Sequence, residues 1–260
     1  TDMVEASASV FLRVLQDGLL SGWGGSDFLI PRQDLSMLFA QPALAWLQQH
    51  GATLHMGRHV DADELAAMVQ DAAPSSPIVL ATSFRQAAKL TVPIAPQWAS
   101  IAAQLQPRAI ATVYLRIHDA NFAGLSRPMV ALRYDAPTQT LATPEHGPAQ
   151  FVFCRQQLLG HARVVAAVVS DCRLERDALS AQIAQQLRQQ LGLQHLEVLQ
   201  TVIEKQATFA CTADLQRPPL CITNPLWACG DYVQGPYPAT LEGAVRSGLE
   251  VITQIGQMHK

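Results

Sequence analysis

Between Gly230 and Gly248, one carboxylate, one phenol and a run of backbone donors fall close enough together to hold a bound group. Asp231 follows the apolar run Pro225–Leu226–Trp227–Ala228–Cys229, which reads as a buried strand. Its carboxylate therefore stands at a strand's carboxyl end. After Gly230 and Gly235 come Tyr237 and Pro238, and then Ala239, Thr240 and Leu241 open an apolar-periodic run to Ile255 that reads as a helix. Pro238 suits the first helical turn, where its missing N–H costs nothing. The free N–H groups of that turn, with the helix dipole, favour partial negative charge in a bound group. Asp231 offers acceptor oxygens to the hydroxyls of a polyol chain. Gly243, Ala244, Ser247 and Gly248 form a stripe of small residues that lets backbone, ring or strand approach the helix closely. An ordinary strand–turn–helix has the same residue types, and spacing alone leaves both readings open.

Elsewhere the chain is poor in reactive constellations. It has no nucleophile elbow, no phosphate loop and no spaced acid pair. Lys205, in the segment Glu204 to Phe209, is the candidate catalytic side chain: beside a redox cofactor a lysine assists hydride or proton transfer, and otherwise it is a surface lysine. Arg217 either pairs with Glu204 or contacts the bound group, and Asp27, Arg32 and Asp34 either line a substrate entrance or, for Asp34, cap a short helix. The five cysteines are odd in number and lack a C-x-x-C pair, which points to reduced thiols and no zinc site. His55 and His59 are four apart in a stretch that reads as a strand, so no metal is expected there.

The elements that must position these residues follow from periodicity. Helices are expected over 4–20, 42–50, 61–70, 98–105 and 174–191, and from the terminal turn to Ile255. In the helix over 174–191, Leu179, Ile183, Leu187 and Leu191 repeat every four residues. Strands are expected over 54–60, 77–82, 109–117, 128–133, 150–154, 163–170 and 197–209. Gly124, Pro137, Pro144, Gly147, Pro148 and Gly160 fall in the turns between the middle strands, which suggests a mostly antiparallel sheet. The 260 residues suffice for one large domain or two smaller ones. Apolar residues make up 49% and charged residues 15%, so the chain is globular. A net charge of −3 without a basic block argues against nucleic acid as the main partner. No apolar run reaches the roughly 20 residues of a spanning helix, and the leading residues do not resemble a signal peptide.

The run GDYVQGPYPATLEGAVRSG resembles the carboxyl-terminal flavin motif of the amine oxidase and phytoene desaturase superfamily. Within it the match is closest to the hydroxysqualene dehydroxylases, also called squalene-associated FAD-dependent desaturases. The stretches Glu5 to Leu15, Asp27 to Ser36 and Glu204 to Phe209 resemble that family too, in the family's order. The resemblance implies an α/β (α+β) fold: a two-domain, amine-oxidase-like arrangement with an incomplete Rossmann-type cofactor part and a substrate domain built on a mostly antiparallel sheet. Residues 51–92 and 200–260 would then complete the FAD-binding domain, and residues 1–50 and 93–199 would form the substrate-binding domain. It further implies FAD as cofactor. Gly230 and Asp231 would lie at the ribityl chain, and Tyr237 and Pro238 beside the ring. Ala239, Thr240 and Leu241 would present N–H groups to the pyrimidine, and Val60 would meet the adenine.

The glycine fingerprint G-x-G-x-x-G, which cradles the pyrophosphate in such enzymes, is absent; Gly22–Trp23–Gly24–Gly25 reads as a loop. The chain is therefore expected to be the carboxyl-terminal portion of a flavoenzyme, inactive alone. The implied reaction converts hydroxysqualene to squalene, with an apolar isoprenoid substrate. The implied location is cytoplasmic, with peripheral membrane contact. Copies would associate through the apolar face left open by the missing segment. The alternatives are another superfamily member, such as an amine oxidase or a phytoene or carotenoid desaturase, and a non-catalytic module that binds an apolar ligand.

Overall fold

The computed structural model describes residues 5–73, 75–134 and 146–258. Pro137, Pro144 and Val4, the expected start of the first helix, lie outside them. The chain is mixed α/β, as its sequence leads one to expect, with two sheets of different character.

The larger sheet has five strands: β2 (Pro107–Ile117), β3 (Met129–Ala131), β4 (Phe151–Cys154), β5 (Val164–Ser170) and β6 (Leu196–Phe209). Their spatial order is β3-β4-β5-β2-β6, and every neighbouring pair is antiparallel. Residues 200–209, which the sequence groups with the cofactor part, hydrogen-bond into this sheet along β2. Alternation along β2 sorts its side chains between two faces. Ala111, Val113 and Leu115 are fully buried on one face, with Val152, Val165 and Ala167 from the neighbouring strands.

Helix α7 (Arg176–Leu191) covers that face. Its Leu179, Ile183 and Leu187 are fully buried, and each contributes about 1.5–3 kcal/mol by leaving water. Gly192 ends it in the left-handed conformation, φ 67°. One polar side chain enters this core. The Gln186 amide accepts from the Ala149 N–H at 2.9 Å and donates to the carbonyls of Ala149 (2.9 Å) and Arg133 (2.8 Å). It thereby ties α7 to the segments flanking β3 and β4.

The smaller sheet has three strands, β1 (Ile78–Leu80), β7 (Cys221–Thr223) and β8 (Leu226–Ala228), in the order β1-β8-β7. β1 and β8 are parallel; β7 and β8 form an antiparallel hairpin. Helices α3 (Ala62–Asp71), α4 (Phe84–Thr91) and α5 (Pro96–Ala103) surround it. Phe84, Trp98, Phe209 and Tyr232 make its aromatic core, with Tyr232 edge-on to Trp98 at 6.4 Å between centroids. The last helix, α8 (Leu241–Met258), packs Val251 and Ile255 onto Trp227 of β8. Its opposite stripe, Leu241, Val245, Leu249 and Ile252, is exposed.

The amino-terminal region comprises α1 (Ala8–Leu19), a π-helical turn (Ser36–Ala40) and α2 (Gln41–Gln49), none with a buried residue. Asp34 caps the π-helical turn, accepting the Met37 N–H at 3.0 Å. A further short helix, α6 (Arg155–Leu159), follows β4 without a break.

Two local expectations are corrected. Residues 54–60 do not form a strand: no described strand pairs with them, and Gly57 turns the chain at φ 72°. The final helix begins at Leu241, so Pro238 precedes its first turn instead of lying in it. Beyond these, a strand for which no expectation is given above, β7, is three residues long and paired only with β8.

Candidate functional site

Asp231 lies just past the carboxyl end of β8, where Cys229 still donates its N–H to the Leu80 carbonyl of parallel β1 at 3.1 Å. The chain then loops back over the start of α8. The Asp231 carbonyl accepts the Ala239 N–H at 3.2 Å, which closes the loop. Ala239 takes a left-handed backbone, φ 60°, which costs an alanine roughly 1–2 kcal/mol. Thr240 caps α8: its hydroxyl donates to the Tyr237 carbonyl at 2.9 Å and accepts the Gly243 N–H at 2.9 Å.

Two small residues let loop, strand and helix come this close. A Cβ on Gly243 would stand 1.9 Å from the Tyr237 carbonyl oxygen, so only glycine fits. Ser247, one turn on, is buried; its hydroxyl accepts the Gly230 N–H at 2.9 Å and donates to the Ala244 carbonyl at 2.7 Å. This pair of bonds fixes α8 to the end of β8.

Beside this junction is a cavity of about 480 Å³, with Asp231, Arg217, Tyr237, Gly243, Arg246 and Ser247 among its lining. Its size falls within the roughly 300–1,000 Å³ of small-molecule sites. Arg217 stiffens its rim by donating to the carbonyls of Val233 (2.7 Å) and Gly235, not by pairing with Glu204. Burial pushes the Asp231 carboxyl above its ordinary value, against the opposing pull of its own backbone hydrogen bond and of Arg217. Burial likewise lowers Arg217 and raises the Tyr232 phenol. The Tyr232 hydroxyl is buried and has no hydrogen-bond partner among the described residues.

Two guanidinium groups lie over the Tyr237 ring, Arg13 at 4.4 Å and Arg246 at 5.0 Å from its centroid. Arg13 also donates to the Tyr237 hydroxyl, and each arginine has a carboxylate one turn away on its own helix, Asp17 and Glu242. Sequence reasoning missed Arg13. The signal was there: it is the one basic residue of α1, a helix otherwise made mainly of small and apolar residues.

Thus Gly230, Asp231, Tyr237, Pro238, Ala239, Thr240 and Leu241 fall together in one loop and helix start. The N–H of Ala239 is engaged with Asp231, so Thr240 and Leu241 are the donors at the first turn. Two other candidates stand apart. Val60 packs with Leu65, Leu90 and Leu226, and its neighbour Asp61 caps α3 by accepting the Glu64 N–H at 2.9 Å. Lys205 is exposed in a bulge of β6, where Lys205, Gln206 and Ala207 stand opposite Ala109 alone, and it does not line the Asp231 cavity. No group of three or more metal-ligating side chains occurs among the described residues.

No family model matches the chain. A hydroxysqualene dehydroxylase from Rhodopseudomonas palustris is 27% identical over 267 positions, covering 95% of this chain and 57% of its own length. Another, from Sinorhizobium fredii, is 26% identical over 263 positions with the same coverage. A solved oxidoreductase from Methanosarcina mazei matches 68% of this chain and 43% of its own, with 13% identity and a TM-score of 0.46. The chain spans a little over half the length of the curated relatives it matches. Along 95% of its own length, then, it is similar to the hydroxysqualene dehydroxylases.

Proposed function

We propose that this chain is the carboxyl-terminal part of an FAD-dependent oxidoreductase that acts on a long isoprenoid, with hydroxysqualene as substrate and squalene as product. The observation that carries the reading is the Asp231 cavity, in which a desolvated carboxylate at a strand's end faces Gly243, Arg246 and Ser247 of α8, held close by a contact that only glycine allows. The similarity to two hydroxysqualene dehydroxylases supports the choice of substrate.

The residues present suit the ring and ribityl portion of the cofactor. Asp231 would accept hydrogen bonds from ribityl hydroxyls. The N–H groups of Thr240 and Leu241 would face the pyrimidine edge, where the helix dipole favours partial negative charge. Tyr237 and Pro238 would border the ring, with Arg13 and Arg246 holding the tyrosine in place. FAD held there and reduced by an external reductant would supply a hydride equivalent to the substrate carbon, with the hydroxyl protonated and leaving as water. The chain's own part is to orient the cofactor and keep the pocket dry.

The pyrophosphate cradle belongs to a dinucleotide-binding segment outside this sequence. The exposed stripe Leu241, Val245, Leu249 and Ile252 is its docking face in this reading, and the same face drives association when left open. The reading also includes a cytoplasmic location with peripheral contact to the membrane that stores the substrate. No helix among the described residues is long and apolar enough to cross a membrane.

The test uses the natural gene product that contains this chain. It should purify yellow or take up added FAD, and Asp231→Ala should weaken that uptake. Given hydroxysqualene and a reductant, it should release squalene, read by gas chromatography. A product that holds no flavin under any reconstitution sinks the proposal. Flavin bleaching by an amine, without response to the isoprenoid, assigns the chain to an amine-oxidase reaction instead.

A further inference from the structure

Helix α1 turns most of its large apolar side chains outward. Phe11, Leu12, Val14 and Leu19 are exposed, whereas Val10, Arg13 and Asp17, on one face at helical spacing, are half-buried. None of its residues is fully buried. Core packing supplies most of the stability of a short helix, and here it is missing. Polar attachments hold α1 instead. Before it, Ala6 and Thr212 form an isolated bridge: Ser7 donates its N–H to the Cys211 carbonyl at 2.9 Å, and Ala213 donates to the Glu5 carbonyl at 3.3 Å. After it, Gly22 and Gly24 turn the backbone at φ 94° and 80° in an exposed loop. Between these two ends, the contact of Arg13 with Tyr237 ties α1 to the loop that carries Asp231.

Residues of α1 border a second cavity, of about 500 Å³, with Ser7, Val10, Arg13, Cys211 and Pro238 among its lining. Arg217, Gly235 and Pro236 line both this cavity and the Asp231 cavity. Arg13 lines the one and Tyr237 the other, so their contact stands at the partition between them. Breaking it costs one hydrogen bond and one cation–π contact, both modest at a partly exposed site. A segment attached this lightly opens locally while the rest of the fold stays closed.

We propose that α1 is a strap hinged at the Ala6–Thr212 bridge and at the glycine loop, that Arg13 on Tyr237 is its latch, and that its opening joins the two cavities into one entrance to the Asp231 site. The latch works only because α1 lacks a buried face: one contact then decides whether the segment lies closed. The inference rests on the proposed function for what enters, but the opening itself requires no flavin.

Three native thiols make the test. Cys211 lines the cavity bordered by α1, Cys221 is exposed, and Cys154 is buried in the large sheet. The 260-residue chain, without FAD, is alkylated with iodoacetamide, and each site is followed by peptide mass spectrometry. In wild type, Cys211 should react more slowly than Cys221. Arg13→Gln should speed Cys211 about tenfold, through loss of both the hydrogen bond and the cation–π contact, and leave Cys221 and Cys154 unchanged. Tyr237→Phe keeps the ring and loses only the hydroxyl, so it should speed Cys211 about fivefold. Because both changes break one contact, the double variant should be no faster than Arg13→Gln alone. Circular dichroism checks that each variant folds, and if Arg13→Gln does not, Tyr237→Phe decides. A wild-type Cys211 that reacts as fast as Cys221, a Cys211 rate unmoved in the folded variants, equal acceleration of Cys154, or multiplied effects in the double variant overturns the proposal. A working latch in a gene product that never holds FAD refutes the flavin reading alone; FAD binding with an unmoved Cys211 rate refutes the strap alone.

Discussion

Helix α8 contains three glycines, and the structure assigns them substitution effects of opposite sign. At Gly248 and Gly256 an added Cβ meets nothing within 4 Å. Alanine there should stabilise the chain by about 0.5–1 kcal/mol, the ordinary gain from replacing a helical glycine. At Gly243 the same methyl would sit 1.9 Å from the Tyr237 carbonyl oxygen and 3.2 Å from the Thr240 hydroxyl. Ordinary contact begins near 3.4 Å, so the loop carbonyl would have to retreat by about 1.5 Å, and overpacking of that kind costs about 1–3 kcal/mol. The cost exceeds the helical gain. The carbonyl cannot retreat without disturbing the Thr240 cap and the Asp231–Ala239 hydrogen bond that closes the loop. Thermal unfolding followed at 222 nm should show Gly243→Ala melting lower and Gly248→Ala higher than wild type, each by a few degrees, since 1 kcal/mol is worth about 2–4 °C at roughly this size. If the gene product holds FAD as proposed, Gly243→Ala should also release it while Gly248→Ala keeps it. If the two alanines stabilise alike, the loop does not lie on the helix and the account of the site is wrong.

Three further outcomes follow from the same geometry. Burial raises the Asp231 carboxyl in the folded state, so the ionised form opposes folding; that penalty is absent below the ordinary carboxylate value and grows as pH rises through the folded value. Asp231→Asn should therefore melt higher than wild type at neutral pH and level with it below about pH 4; a variant that melts lower at neutral pH contradicts the sign. Gln186→Leu strips the buried Ala149 amide of its partners and should cost about 2–3 kcal/mol in urea unfolding, with an unchanged midpoint counting against the bridge. Leu249→Asp on the open stripe of α8 should reduce self-association of the chain in sedimentation without lowering its melting temperature, whereas unaltered sedimentation would place the contact elsewhere.

How much of this was legible in the sequence differs from element to element. Helix α7 was readable because Leu179, Ile183 and Leu187 repeat at helical spacing and all three end up fully buried. The strands of the large sheet were readable because alternation survives wherever one face is covered, as along β2. Residues 54–60 mimic that alternation with Leu54, Met56, Arg58 and Val60, but a strand exists only by pairing, and pairing is not a local property. β7 was missed for the complementary reason: it is too short to show a period and is defined by its hairpin with β8. At the candidate site the loop residues were found together, because they are adjacent in sequence. The Arg13–Tyr237 contact spans 224 positions, and no local pattern records it. Pro238 was placed one turn too far along because its fixed φ suits a helix start, whereas the hydroxyl of Thr240 sets the actual boundary.

The position of Lys205 has a consequence for how this chain behaves in crowded solution. β6 is 14 residues long and stands at the edge of the large sheet, with one side of its backbone unpaired by any described strand and with Val198, Leu199 and Val202 exposed. Such an edge is a template for a second copy of the same strand. Glu204 and Lys205 interrupt it at the point where the bulge bends the ladder, placing two charges and a kink in the path of any incoming strand. A valine at both positions would remove the two charges from that border, and chains so altered should form more β-rich aggregate than the natural sequence does.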